Sequence, residues 1–138
     1  MRKNVGNSRW LILAVALGLG ILVAFVSSHS PKPVVPVNVA VPAHLSQAAI
    51  QGQEIFVANC QKCHGPDAAG SEKGPPLVHR FYAPNHHADI SFLRAAEFGV
   101  KAHHWQFGDM APVPGVSKDQ VALVVQYVRE LQRANGIQ

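Results

Sequence analysis

Of 138 residues, two are cysteine, two methionine, two tryptophan and two tyrosine, and 14% carry charge. Each scarcity removes a class of function. Cys60 and Cys63 are the only cysteines, so no second pair completes a four-thiolate zinc site, and two histidines would have to finish one. A disulfide between them would close so short a loop that it would constrain the unfolded chain little. A thioredoxin-like dithiol wants a βαβ setting, and no such pattern occurs. No basic stripe with interleaved aromatics is found, which argues against nucleic acid as a partner. No carboxylate–histidine or nucleophile–base constellation stands out, so no catalytic site of its own is expected. Aromatics are only 7% of the chain, and fewer than 100 residues remain for a core once the N-terminal segment is set aside. That is small for an independently stable domain.

What is present is Cys60-Gln61-Lys62-Cys63-His64, which reads C-x-x-C-H, the attachment pattern for a c-type haem. Two thiols one helical turn apart can each form a thioether to a haem vinyl group, and the next imidazole can be the proximal iron ligand. Of the readings open to a C-x-x-C pair, only haem explains the histidine. A covalent haem would also supply the apolar mass that the short chain lacks.

The N-terminal 28 residues read as a transmembrane anchor or signal segment. Arg2, Lys3 and Arg9 precede Trp10–Val26, a run of 17 apolar residues without a charge. A cleaved signal peptide would fit Val26-Ser27-Ser28 as its cleavage site. The length favours an uncleaved anchor, at the lower end of a spanning helix. Both readings leave the positive flank inside and the remainder outside the cytoplasm. Residues 29–43 are a proline-rich linker, punctuated by Pro31, Pro33, Pro36 and Pro42, and expected to be extended. Beyond Ser30 there are nine Lys/Arg and eight Asp/Glu, a net of +1 that two haem propionates would bring near −1.

Residues 44–138 form the third segment. Ser46 is a candidate cap for a helix to Asn59, with Ala49, Ile50, Gln53, Phe56 and Val57 on one stripe. Asp89 or Ser91 would cap a short helix ending at Phe98 before Gly99, with Ile90, Leu93 and Phe98 turned to the core or haem edge. The clearest helix is Ser117–Arg133. Ser117 and Gln120 form a capping box, Val121, Val124, Val125, Val128 and Leu131 share a face, and Asn135-Gly136 supplies the stop. Between these helices, residues 65–74 and 100–116 are loops by their Gly and Pro content.

In this order, Cys60, Cys63 and His64, then Gly74-Pro75-Pro76-Leu77, then Gly108-Asp109-Met110 and a closing helix, residues 44–138 resemble the class I c-type cytochromes. The resemblance implies an all-α domain around one covalent haem c, functioning in one-electron transfer with redox partner proteins. It implies that Met110, the only methionine besides the initiator, is the second axial ligand beside His64. A thioether there raises the potential and closes the sixth position. The family often places proline directly after this methionine, whereas here Ala111 precedes Pro112. The resemblance further implies that a proline carbonyl, Pro75 or Pro76, accepts the Nδ1–H of His64. It also implies that Gly52 and Phe56 cross the last helix opposite Tyr127, and that the domain sits on the extracytoplasmic (periplasmic) face of the inner membrane. Two alternatives remain: a cytochrome subunit of a larger oxidase or dehydrogenase, and a haem enzyme or gas sensor with a displaceable sixth ligand.

The histidine pairs His86-His87 and His103-His104 stand apart from this scheme. They read as exposed loop polars, with a replacement axial ligand and a second metal as the other roles. Successive side chains on an extended backbone diverge, which counts against one metal shared by neighbours. Arg80 and Trp105 are candidate donors to haem propionates.

Overall fold

A computed structural model of the chain describes residues 6–28 and 36–138. It divides into two compact units, Met1–Lys32 and Pro33–Gln138. The first is one helix, α1 (Gly6–Ser28), 23 residues long. The large apolar side chains described on it are all exposed, from Trp10 to Leu22. Among the described residues, no helix is long and apolar enough to cross a membrane. Residues 1–5 and 29–35, and the side chains of residues 6–9, 11, 23 and 25–28, lie outside the described set, so the apolar run and the linker are seen only in part.

The second unit is helical, with no strand among the described residues: α2 (Gln47–Asn59), α3 (Gln61–His64), α4 (Asp89–Phe98) and α5 (Lys118–Ala134), plus 3-10 turns at Pro66–Ala68 and Arg80–Tyr82. The all-α expectation holds. Ser46 caps α2 by accepting from the Ala49 amide at 3.1 Å. Ser117 and Gln120 exchange both hydrogen bonds of the capping box, at 2.9 and 3.2 Å. Such reciprocal caps satisfy amide donors that the first helical turn leaves unpaired.

The core lies where α2 meets α5. Val121, Val124, Val125, Val128 and Leu131 are buried, as their spacing predicts. Gly52 lets the two backbones touch: a Cβ there would lie 2.0 Å from the Leu123 carbonyl oxygen. Beside it, the rings of Phe56 and Tyr127 pack 5.6 Å apart at 56°. The glycine–aromatic crossing expected at Gly52, Phe56 and Tyr127 is therefore found.

Arg129 also faces inward, 5% exposed. Its Nε donates to Asp89 at 2.8 Å, and its terminal nitrogens donate to Gln132 Oε1 and to the carbonyls of Tyr82 and His87, each at 2.6 Å. Gln132 in turn donates to the carbonyls of Leu77 and Tyr82, at 2.8 and 3.1 Å. A buried guanidinium requires such partners for its donors. These two side chains fasten the irregular stretch 77–89, which has little periodic structure of its own, onto α5.

Two local expectations change. Ala88, not Asp89 or Ser91, occupies the cap position of α4 and, having no polar side chain, offers no cap bond, while the Asp89 carboxylate is engaged by Arg129. Ile90 and Phe98 are 55% and 70% exposed, while Phe92 packs against the core under the Arg129 guanidinium, 5.0 Å from the ring centre. Within the linker, the Val37 amide donates to the Ala69 carbonyl at 2.8 Å. The Asn135 side chain pairs with both backbone groups of Ala40 at 2.9 Å. The end of the proline-rich stretch thus lies along the domain, without helix or strand of its own.

Candidate haem site

The attachment motif is built by the end of α2. The Cys60 amide still donates to Phe56 at 2.8 Å, and the Cys63 and His64 amides both donate to the Cys60 carbonyl, at 3.1 and 3.0 Å. This single further turn, α3, sets the two cysteines at i and i+3, on one side of the helix. Both thiols are free; Cys60 is half-buried and Cys63 exposed. Burial, and then the neighbouring Cys63, push the Cys60 thiol up to about 11. A redox dithiol needs the opposite shift, since the thiolate is its reactive form.

Past His64 the chain doubles back sharply. Gly65 has φ +73°, and a Cβ there would lie 2.1 Å from the Gly70 carbonyl oxygen. The Gly70 amide donates to the His64 carbonyl at 2.6 Å and the Ser71 hydroxyl to the Cys63 carbonyl at 2.6 Å. Asp67 and Ala68 adopt left-handed backbone, φ 50° and 57°. Tyr127 secures this turn from α5 by donating its hydroxyl to Asp67 at 3.0 Å. The returning chain brings the Pro75 carbonyl to 2.8 Å from His64 Nδ1. Of the two candidate prolines it is Pro75 that takes this role, and Pro76 is fully buried. Burial lowers the His64 pKa and the Pro75 bond partly offsets this. The imidazole is therefore neutral near pH 7, with its proton on Nδ1 and its lone pair on Nε2.

Met110 stands on a different element. It pairs with Val100, just past the Gly99 stop of α4, through two backbone hydrogen bonds of 2.9 Å. The enclosed loop is braced by the Asp109 carboxylate, which accepts from the Ala102 amide at 2.9 Å, and beyond it the Val113 amide donates to Ala96 of α4 at 2.8 Å. Met110 is half-buried. Cys60, Cys63 and His64 thus form one turn, while Met110 is carried by the loop anchored to α4.

Of the two suggested propionate donors, Arg80 is exposed and lies over the Phe81 ring, 5.6 Å from its centre. Trp105 differs: its Nε1–H is buried and has no hydrogen-bond partner among the described residues. Burial raises the Tyr82 hydroxyl pKa and the neighbouring indole partly offsets this, without a hydrogen bond of good geometry between them. A buried donor left unpaired is rare in a finished fold. Two free thiols on one turn, a neutral imidazole with an available Nε2 and an orphaned donor together fit a covalent haem with an anionic edge. The family description that matches residues 49–132 is cytochrome c. The chain belongs to the cytochrome c family. No solved structure gives a match. A cytochrome c domain carries covalently bound c-type haem and takes part in electron transfer with redox partners, as an electron carrier.

Sequence reasoning missed two parts of this cytochrome. Arg129 lies four residues after Val125, on the buried face of α5, and a charge at that position was the available signal. The second is the gathering of His86, His87 and His104, which share no sequence spacing that would announce it.

Proposed function

We propose that this cytochrome c is a one-electron carrier with His64 and Met110 as its axial ligands, tethered outside the cytoplasm by its N-terminal segment. The observation that carries the reading is the bond from His64 Nδ1 to Pro75. It holds the tautomer and orientation in which Nε2 is a ligand, and it raises the basicity of that ligand. Haem c bound at this turn supplies an iron that alternates between the ferric and ferrous states. Cys60 and Cys63 would hold the group through two thioethers, so electron transfer involves no exchange of cofactor. Trp105 would donate its orphaned N–H to a propionate, shielding that charge from the apolar interior.

Support for Met110 is its position: half-buried, on a loop pinned at both ends to α4, in the order the family uses. With both axial positions filled by protein side chains, ligand reorganisation is small and no position stays open for chemistry. The test is the optical spectrum of the wild type and of Met110→Ala, with and without CO. Wild type is expected to be low-spin, to show the weak ferric charge-transfer band of Met–iron ligation and to ignore CO; the variant is expected to lose that band and bind CO. An unchanged variant spectrum would remove Met110 from the iron.

The tether rests on the 17-residue apolar run with Arg2, Lys3 and Arg9 before it. At about 1.5 Å per residue, a helical run of this length reaches roughly 26 Å, at the short end for a hydrocarbon layer of about 30 Å. An anchored chain stays with membranes washed in alkaline carbonate. Release into the wash, with a mature N-terminus near Ser27, would show cleavage instead.

A further inference from the structure

His86, His87 and His104 each offer a ring nitrogen, and these three atoms all lie within 4.8 Å of one another. We propose that they form a second metal site, separate from the C-x-x-C-H turn, for a divalent late first-row transition metal such as zinc(II) or copper(II).

Backbone geometry makes the cluster. Residues 83–87 are not extended but turn tightly, the amides of His86 and His87 both donating to the Ala83 carbonyl, at 2.9 and 2.8 Å. The divergence expected of neighbours on an extended chain therefore does not arise, and the two rings pack with centres 4.8 Å apart. His104 comes from the loop that precedes Met110 and stacks on Phe81, 4.7 Å between centres and 19° between planes. His86 Nε2 and His104 Nε2 are 3.3 Å apart. Two imidazole nitrogens on a tetrahedral zinc, each at about 2.0–2.1 Å, stand about 3.3–3.4 Å from each other. One edge of the coordination polyhedron is thus already at its working length, and the His87 nitrogen lies within 4.8 Å of both.

The third ligand is also oriented. His87 Nδ1 bonds the Phe81 carbonyl, which places its proton there and leaves Nε2 as the lone pair. A ring N–H held by a backbone carbonyl is the usual partner of a metal-binding histidine. His104 is held in place by its stacking on Phe81. The donor set is three neutral imidazoles without a carboxylate or thiolate. That chemistry disfavours calcium and magnesium, which take oxygen, and suits zinc, copper and nickel, with copper(II) bound most tightly. A fourth position is left for water or an outside ligand, because His86 is exposed and the other two are half-buried.

The test uses the haem-loaded, full-length chain in detergent, without an affinity tag, titrated calorimetrically with zinc(II) and separately with copper(II). One equivalent of each metal is expected, with copper(II) giving an electron paramagnetic resonance spectrum of nitrogen ligation. His86→Ala and His104→Ala should each weaken binding at least about tenfold. His44→Ala, at an exposed histidine outside the cluster, should leave it unchanged, and the haem spectrum should be the same in all variants. His86 is exposed and His104 supplies the second nitrogen of the short edge, so the result does not depend on whether a His87 variant folds. Absence of a stoichiometric site in the wild type, or equal binding by wild type, His86→Ala and His104→Ala, would overturn the proposal.

Discussion

Tyr127 shows how one side chain can serve both packing and the site. Its ring faces Phe56 in the core, while its hydroxyl reaches the turn after His64 and donates to Asp67. Burial and the Asp67 carboxylate raise its pKa well above the usual tyrosine value. The folded chain therefore holds this proton more tightly than the unfolded one, and stability is lost as pH rises past about 10. Tyr127→Phe is expected to lower unfolding free energy by about 1.5–3 kcal/mol, the range for a hydrogen bond to a charged acceptor, measured by urea denaturation. The same variant should lose the alkaline dependence. His64 and His79 shift the other way, both held low chiefly by burial. Unfolding lets them take up protons, so the haem-free chain should be most stable above about pH 6.5 and weaken as pH falls below it. Trp105→Phe separates two roles of the indole. If its N–H serves a propionate, the haem-loaded domain should lose about 1–2 kcal/mol, whereas the haem-free chain, with no partner for that N–H, should lose none of it.

Among the elements, α2 and α5 were legible because each carries its own punctuation. Ser46, the Ser117–Gln120 box, the valine stripe and Asn135 state beginning, face and end within one helix. The stretch 77–89 was not, since its order comes from outside: Arg129 and Gln132 supply the hydrogen bonds that local sequence does not. For the same reason Asp89 misled as a cap, its carboxylate being drawn to a residue 40 positions away. Arg129→Met should accordingly destabilise the domain by on the order of 3 kcal/mol, leaving the His87 carbonyl, Gln132 Oε1 and Asp89 without their donor. Hydrogen exchange should show the loss of protection concentrated in residues 77–89, rather than in α2. Gly52→Ala tests the crossing itself. An alanine gains about 1 kcal/mol in helix propensity, yet its Cβ would meet the Leu123 carbonyl, and overpacking of a tight core costs about 1–3 kcal/mol. A lower unfolding temperature is expected, and a raised one would contradict the close approach of α2 to α5.

For the molecule as a whole, the haem turn was the part most open to sequence reading, because attachment chemistry dictates residue types at fixed spacing: Cys60, Cys63 and His64 recur as one turn of helix. The choice of Pro75 over Pro76 was not, since it depends on where the loop through Gly65 and Gly70 returns. The histidine cluster was less legible still, because a turn at Ala83 and a loop 18 residues later had to meet. The central proposal is that Cys60, Cys63 and His64 would hold one covalent haem, exchanging single electrons with its axial ligands in place. A spectroelectrochemical titration of the wild-type chain, run once under nitrogen and once under CO, tests it most directly. A single one-electron wave, identical under both gases, is the expected result. The claim would be contradicted by the absence of a haem wave, or by a wave displaced to higher potential under CO, which would mean that the sixth position opens to an external ligand.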